Sequence, residues 1–164
     1  LPPVTPCDLA DIVREATDGI RPLAQRRDAT LEVSFDAPGV QVIADRDQLG
    51  QVFANLIENA LKYGGAGGTV AVTRAPDDSR FPGMIGVAVR DNGPGIARHH
   101  IHRLTERFYR VSAKQSKEQG GTGLGLAIVK HILARHACEL DIASTLGEGS
   151  TFTVWLPLRK VASG

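Results

Sequence analysis

Two asparagines one helical turn apart are the first residues whose types and spacing suggest chemistry. Asn55 and Asn59 fall in the segment 45–63, whose apolar residues recur at helical spacing, and Lys62 lies three residues further along the same stripe. Asparagine is a poor helix former, because its amide competes for backbone groups. An amide oxygen suits Mg²⁺, a cation that prefers oxygen ligands, and a neighbouring lysine suits phosphate. A solvated polar helix face explains the stripe equally well, so both interpretations stay open here.

The segment Asp-Asn-Gly-Pro-Gly-Ile at 91–96 directly follows an apolar run with the pattern of a strand. A carboxylate at the end of a strand, here Asp91, can accept a hydrogen bond from an amine such as adenine N6. Gly93 and Gly95 allow the backbone to lie close to a ligand ring and to adopt dihedral angles that other residues avoid. An ordinary Asn-Gly and Pro-Gly turn is the alternative, and this segment taken alone favours it.

A glycine-rich run at 120–126 opens a segment of helical periodicity at 122–136. Glycines at a helix start expose backbone N–H groups at the positive end of the helix dipole, which suits an anion. The run lacks the sequence of a P-loop, and it does not follow a strand as a dinucleotide-binding fingerprint should. It therefore indicates a phosphate site of another kind, with a flexible hinge as the alternative.

Two arginines bracket two aromatic residues at 107–110, within a long polar segment, 91–121, of weak periodicity. A loop of that length inside a compact domain is usually functional. Aromatic side chains that pack a loop down, with arginines that contact phosphate, are typical of a lid over a ligand. An aromatic anchor that pins the loop to the core is nearly as good an explanation.

The elements that must position these residues follow from periodicity and turn signals. Helical spacing predicts helices at 8–27, 45–63 and 122–136. Runs of strand-forming residues predict strands at 30–35, 40–44, 69–75, 84–90, 139–144 and 150–156, the first two around the turn Ala37-Pro38-Gly39. This order predicts an α/β two-layer sandwich with helices on one face of a mixed, largely antiparallel sheet.

Composition excludes several classes of protein. The chain has 164 residues, a net charge of +1 and 5% aromatic residues, which argues against a nucleic-acid binder or a base-stacking platform. Cys7 and Cys138 have no CxxC partner, as expected for thiols in a reducing compartment. No apolar run has the length of a membrane span. The chain begins with Leu1 in a Pro-rich stretch, so we expect the end of a linker in a longer protein.

Four segments, in this order, resemble the sequence boxes of the histidine-kinase branch of the Bergerat-fold ATPase superfamily. They are NLIENALKYG at 55–64 (N box), DNGPGI at 91–96 (G1 box), ERFYRV at 106–111 (F box) and GGTGLGLAIVKHI at 120–132 (G2 box). The closing GEGSTFTVWLP at 147–157 is also similar to the end of that family's domain. A match to one box is modest evidence for the family, whereas matches to four boxes in order and with the right spacing are specific to it. The amino-acid sequences of the last two boxes resemble those of the phosphate-regulon type of sensor kinase, although many paralogues share them.

The resemblance implies a two-layer Bergerat-fold sandwich with an ATP lid at about 92–120. The domain would span 8–158, between a linker at 1–7 and a tail at 159–164. ATP and Mg²⁺ are the implied cofactors. Asn59 would be the metal ligand, and Asn59, Asn55 and Lys62 would form the catalytic set. The residues that the resemblance places around the nucleotide are Asn55, Asn59, Lys62, Tyr63, Asp91, Gly93, Gly95, Ile96, Arg110, Gly121, Thr122, Gly123, Leu124, Gly125 and Thr151.

The resemblance also implies separate roles within this set. Asp91 would hold the adenine amine, with support from Thr151. Lys62 and Arg110 would contact phosphate oxygens, and Tyr63 would pack near the nucleotide. Gly93 and Gly95 would shape the adenine pocket, and the residues of the G2 box would offer backbone groups to the phosphates.

The residue type at position 55 bears on the reaction. Hydrolytic relatives in the superfamily carry a glutamate where Asn55 stands, and a neutral amide cannot act as a general base. Glu58 lies about 60° further round the helix. The resemblance therefore implies a protein-histidine kinase domain of two-component signal transduction, which transfers the γ-phosphoryl group of ATP to a histidine elsewhere. A hydrolytic ATPase and a non-enzymatic nucleotide- or partner-binding module are the alternatives.

No histidine of this chain lies in a phosphoacceptor motif, so each is interpreted as a surface residue: His99, His100, His102, His131 and His136. We expect the acceptor histidine in a dimerisation domain of the same protein, before Leu1. A response regulator is the expected downstream partner, and no nucleic acid is expected. The parent protein is expected to be a homodimer in the bacterial inner membrane, with this domain monomeric and cytoplasmic.

Overall fold

The computed structural model describes residues 2–64, 67–101 and 125–159. Its elements, in chain order, are β1 (Pro6–Asp8), α1 (Leu9–Arg26), β2 (Thr30–Ser34), β3 (Gln41–Ile43), α2 (Arg46–Tyr63), β4 (Thr69–Ala75), β5 (Met84–Asp91), α3 (Arg98–Ile101), α4 (Gly125–Arg135), β6 (Glu139–Thr145) and β7 (Gly149–Pro157). Within these ranges no helix is both long and apolar enough to cross a membrane.

A five-stranded mixed sheet forms one layer, with strand order β2-β4-β5-β7-β6. β2 pairs with β4 in parallel, and the other neighbours are antiparallel. A parallel pair needs a crossover, which α2 supplies between β2 and β4. The predicted mixed, largely antiparallel sheet is therefore confirmed.

The helices α1, α2 and α4 form the other layer, and α2 is the central one because it packs against both α1 and α4. Seven apolar residues of α2 are buried: Leu49, Val52, Phe53, Leu56, Ile57, Ala60 and Leu61. They recur at the spacing of one helix face, and each large one stabilises the fold by about 1.5–3 kcal/mol. The opposite side of α2 is thereby left to polar residues.

Aspartate caps fix where the first two helices begin. The side chain of Asp8 accepts a hydrogen bond from the Asp11 N–H at 3.0 Å, and that of Asp45 accepts one from the Gln48 N–H at 3.1 Å. Each satisfies a backbone donor that has no partner within its own helix. Both helices therefore start one residue after the position predicted from periodicity.

The strands on either side of the turn 37–39 belong to different sheets. The turn itself is present, since the Val40 N–H donates to the Ala37 carbonyl at 3.2 Å and Gly39 has a φ of 72°. β3 pairs with β1, whereas β2 lies at the edge of the main sheet beside β4. The strand β1 was not predicted, and it overlaps the last two residues of the segment interpreted as a linker.

The prediction that His136 lies at the surface is wrong. Its side chain is only 7% exposed, and both ring nitrogens have partners. Nδ1 lies 2.8 Å from the Ile132 carbonyl, and Nε2 accepts a hydrogen bond from the Asp45 N–H at 3.0 Å. His136 therefore ties the end of α4 to the start of α2, a contact between residues 91 positions apart in the chain.

Candidate functional site

The polar side of α2 carries the first group of predicted site residues. Asn55, Asn59, Lys62 and Tyr63 are all half-buried. Among the described residues, neither asparagine side chain has a hydrogen-bond partner. Amide groups that are partly shielded from water, yet have no partner there, are available to a ligand.

Lys62 is held by an ion pair on its own helix. Its Nζ lies 3.0 Å from the Glu58 Oε1, and the two side chains are 20% and 37% exposed. A lysine one turn after a glutamate is the favourable orientation for such a pair. The cation is therefore positioned on the same side of α2 as the two asparagines.

The start of α4 faces this polar stripe. The side-chain nitrogen of Asn59 lies 4.0 Å from the point that a Cβ on Gly125 would occupy. Gly125 is the first described residue of α4, so the N-terminal end of that helix adjoins the amide. Of the remaining predicted site residues, Arg110, Gly121, Thr122, Gly123 and Leu124 lie outside the described residues.

Asp91 ends β5 and is 7% exposed. Burial is the main influence on this carboxyl and raises its pKa, while hydrogen bonds from the Gly93 and Ser150 backbone N–H groups act in the opposite direction. The Gly93 bond, to Oδ1, is 2.9 Å long. A buried carboxylate with a raised pKa gains from any further donor, such as an amine of a ligand.

Close backbone packing explains the glycines that follow Asp91. A Cβ on Gly93 would lie 2.6 Å from the Gly64 Cα at the end of α2, and one on Gly95 would lie 2.3 Å from the Thr145 carbonyl oxygen. Gly95 also has a φ of 75°, which side chains disfavour. These glycines hold residues 92–96 between the end of α2 and the β6–β7 turn. Asp91 is thereby placed beside Gly64, on which an added Cβ would lie 3.3 Å from the Asp91 Cβ.

Two serines that were not predicted complete this end of the sheet. Strand register places Asp91 opposite Ser150, and Ser150 opposite Ser144. The Ser144 Oγ accepts a hydrogen bond from the Ile96 N–H at 2.7 Å and lies 2.8 Å from the Ser150 Oγ. The sequence does contain a feature that predicts this pairing. Ser144 and Ser150 are equally distant from the turn 146–148, so a hairpin there would place them opposite each other.

Thr151, which the resemblance places in support of Asp91, is not the residue directly opposite Asp91 in the sheet. It pairs with Arg90, and successive side chains of a strand point to opposite faces. Ser150, which is 5% exposed, therefore stands where Thr151 was expected. A shift of one residue along β7 is enough to change the face of the sheet.

Carboxylate, imidazole and thiol groups do not converge on a metal site in the described ranges, where no cluster of three or more His, Cys, Asp or Glu residues could hold an ion. Mg²⁺ in proteins is usually bound through a few protein oxygens together with phosphate oxygens of a ligand, rather than in a dedicated protein cage.

Comparison with known proteins identifies the family. Residues 44–160 match the family described as histidine kinase-, DNA gyrase B-, and HSP90-like ATPase. The chain belongs to this family. It is 43% identical over 131 residues to the phosphate regulon sensor protein PhoR of Pseudomonas aeruginosa, a match that covers 79% of this chain and 29% of PhoR. It is 39% identical to the sensor-like histidine kinase SenX3 of Mycolicibacterium smegmatis, over 96% of this chain and 40% of SenX3.

Solved structures show the same fold. The mycobacterial sensor histidine kinase MprB superposes with a TM-score of 0.77 at 30% identity, over 96% of this chain and 99% of that one. Full-length ShkA in complex with AMPPNP superposes with a TM-score of 0.79 at 27% identity, over 98% of this chain and 32% of that one. The predicted family and the predicted histidine-kinase type of ATP-binding catalytic domain are confirmed. The chain spans less than half the length of the curated relatives PhoR and SenX3.

Proposed function

We propose that this chain binds ATP with Mg²⁺ and transfers the γ-phosphoryl group to a histidine on a separate dimerisation domain of its parent protein. The observation that carries the proposal is the polar stripe of α2, which faces the start of α4 and ends at the loop that holds Asp91. Gly64 lies five positions after Asn59, about 7.5 Å along the helix axis. One nucleotide can therefore contact Asp91 with its base and the stripe with its phosphates.

The base would bind at Asp91, since its buried carboxylate favours an amine donor such as adenine N6. Gly93, Gly95 and Ile96 would form the backbone around the base. Tyr63 would pack beside the nucleotide, because it is half-buried at the end of α2 next to Gly64. The likeness to ShkA, which was solved with the ATP analogue AMPPNP, supports this choice of ligand.

The phosphates would lie between α2 and the start of α4. Asn59 would be a ligand of Mg²⁺ through its amide oxygen, with Asn55 beside it, and these residues fit a cation that takes oxygen ligands. The metal, when bound, offsets charge on the phosphates during transfer. The helix N-terminus at Gly125 and the ammonium group of Lys62 would attract the phosphate oxygens. Arg110 and the residues 121–124 are proposed phosphate contacts by the family resemblance alone.

Hydrolysis is disfavoured by the same residues. Asn55 has no basic group, and the nearest carboxylate on α2, that of Glu58, is engaged by Lys62 at 3.0 Å. We therefore propose a domain that holds ATP for transfer to an acceptor, rather than one that activates water.

The parent protein would supply what this chain lacks. We propose an acceptor histidine on a dimerisation domain, a response regulator that receives the phosphoryl group, and a homodimeric parent anchored in the bacterial inner membrane. The names of PhoR and SenX3 as a sensor protein and a sensor-like histidine kinase support this arrangement. The catalytic domain itself would be monomeric.

The test is phosphoryl transfer in trans. The chain is mixed with the dimerisation domain of its parent protein, radiolabelled ATP and Mg²⁺, and the label on each polypeptide is measured. We expect label on the dimerisation domain only, and none after Asn59→Ala. Gln51→Ala, on the exposed side of the same helix, is the matched control and should transfer normally.

Two results would contradict the proposal. One is acid-labile phosphate on a histidine of this chain alone. The other is rapid release of free phosphate that disappears in Glu58→Gln, which would favour the hydrolase.

A further inference from the structure

Lys62 is paired with a carboxylate that lies further from α4 than Lys62 itself does. Its Nζ lies 3.0 Å from the Glu58 Oε1. Viewed down the axis of α2, Lys62 lies about 60° from Asn59, and Glu58 lies about 40° further in the same direction. Asn59 is the residue that adjoins the start of α4 at Gly125. The ion pair therefore draws the ammonium group away from the side on which the phosphates are proposed to bind.

Other contacts indicate the same orientation of α2. Gln48, about 20° from Asn59 round the helix, accepts a hydrogen bond from Arg135 of α4, so this side of α2 faces α4 along its length. Glu58 is 37% exposed, whereas Lys62 is 20% exposed. The carboxylate thus lies on the solvent side of the pair, and the ammonium group lies between it and the side that faces α4.

A phosphate and the Glu58 carboxylate would compete for the same ammonium group. Each oxygen that accepts a hydrogen bond from an ammonium lies about 3 Å from the nitrogen. A phosphate oxygen and the Glu58 Oε1 on one Nζ would therefore lie no more than about 6 Å apart. Both groups are negative, and like charges at this separation repel each other. A phosphate bound to Lys62 therefore favours the release of Glu58.

We infer that Glu58 is a positioning residue, which holds Lys62 away from the phosphate site in the nucleotide-free domain and is displaced by the phosphates of ATP. The inference rests on the proposed function, since it needs phosphates between α2 and α4. Glu58 does not contact the nucleotide and acts through Lys62. It lowers the affinity for phosphate-bearing nucleotides by the free energy needed to break the ion pair, and it pairs with Lys62 again when the nucleotide leaves.

The experiment measures nucleotide affinity by calorimetry on the whole chain, with Mg²⁺ and about 0.15 M salt. We expect Glu58→Gln to tighten ATP binding roughly two- to fivefold, because exposed ion pairs contribute up to about this much. In a Lys62→Met background, Glu58→Gln should leave ATP affinity unchanged. Adenosine, which has no phosphate, is measured by competition against ADP and should bind equally well to the wild type and to Glu58→Gln.

Asp47→Asn is the matched control. It also removes one negative charge from α2, but from an exposed position in the first turn of the helix, about 22 Å from Lys62 along the axis. ATP affinity should not change in this variant. Glu58 and Lys62 are both partly exposed, so neither of their substitutions should prevent folding.

Three results would overturn the inference. Unchanged or weaker ATP binding in Glu58→Gln would mean that the carboxylate does not compete with phosphate for Lys62. An equal gain in the Lys62→Met background would mean that Glu58 repels the phosphates through space without acting on Lys62. An equal gain for adenosine would place the effect outside the phosphate site. Each of these results, obtained with a wild type that binds ATP, would leave the proposed function intact, whereas a wild type that does not bind ATP would reject both.

Discussion

Replacement of Asp91 by asparagine should weaken nucleotide binding without lowering the stability of the folded protein. The carboxylate is 7% exposed and accepts backbone hydrogen bonds from Gly93 and Ser150. Asparagine keeps one acceptor oxygen, which can still accept from the Gly93 N–H, but it presents an amide donor where the carboxylate would accept from the adenine amine. The loss of a partner for a buried polar group costs about 1–3 kcal/mol, so ATP and ADP should bind roughly 5- to 150-fold more weakly.

Stability should not fall in parallel, because burial raises the pKa of Asp91. A carboxyl whose folded pKa lies above its unfolded value favours the native state in its protonated form. That contribution is present below the unfolded pKa and is lost as the pH rises through the folded pKa. At neutral pH the folded protein therefore carries the cost of a buried charge, and Asp91→Asn removes that cost. We expect an unfolding temperature equal to or above that of the wild type.

Calorimetry with ADP and thermal unfolding, each at several pH values, test both parts. Wild-type affinity should fall as acid protonates Asp91, whereas the affinity of the variant should stay flat over the same range. Asp77→Asn, an exposed residue in the β4–β5 connection, is the matched control and should change neither measurement. Unchanged ADP affinity in Asp91→Asn, or a loss that tracks a lower unfolding temperature, would refute the reasoning.

Three further predictions concern the scaffold. Gly95→Ala should destabilise the protein more than Gly39→Ala, as measured by urea unfolding. Both glycines have a positive φ, but only at Gly95 would the added Cβ meet a backbone oxygen, at 2.3 Å. Equal losses of stability would mean that the loop shifts freely. His136→Phe should cost about 1–3 kcal/mol of unfolding free energy, because the Asp45 N–H loses its acceptor; wild-type stability would show that water replaces it. Hydrogen exchange at 96–101 should slow when ATP and Mg²⁺ are added, and equal protection with and without nucleotide would exclude this segment from the site.

Helices and strands with a clear apolar period were predictable from sequence. Periodicity placed α2 to within one residue, since seven buried side chains at helical spacing define one face. The β4 boundaries, Thr69–Ala75, agree residue for residue with the prediction. Short elements were not predictable in this way. β1 has only three residues and depends on its pairing with β3, a partner about 35 residues away in the chain.

The sequence alone determined the family and the two halves of the proposed site, since the polar stripe of α2 and the segment after β5 are local patterns. Only the tertiary structure decided which side chains meet between them. Strand register brings Ser150 rather than Thr151 to Asp91, because a shift of one residue reverses the face of a strand. Helix packing likewise sets Asn59 against Gly125 and buries His136 on the Asp45 N–H. These contacts join residues far apart in the chain, and no local pattern encodes the register or packing angle that creates them.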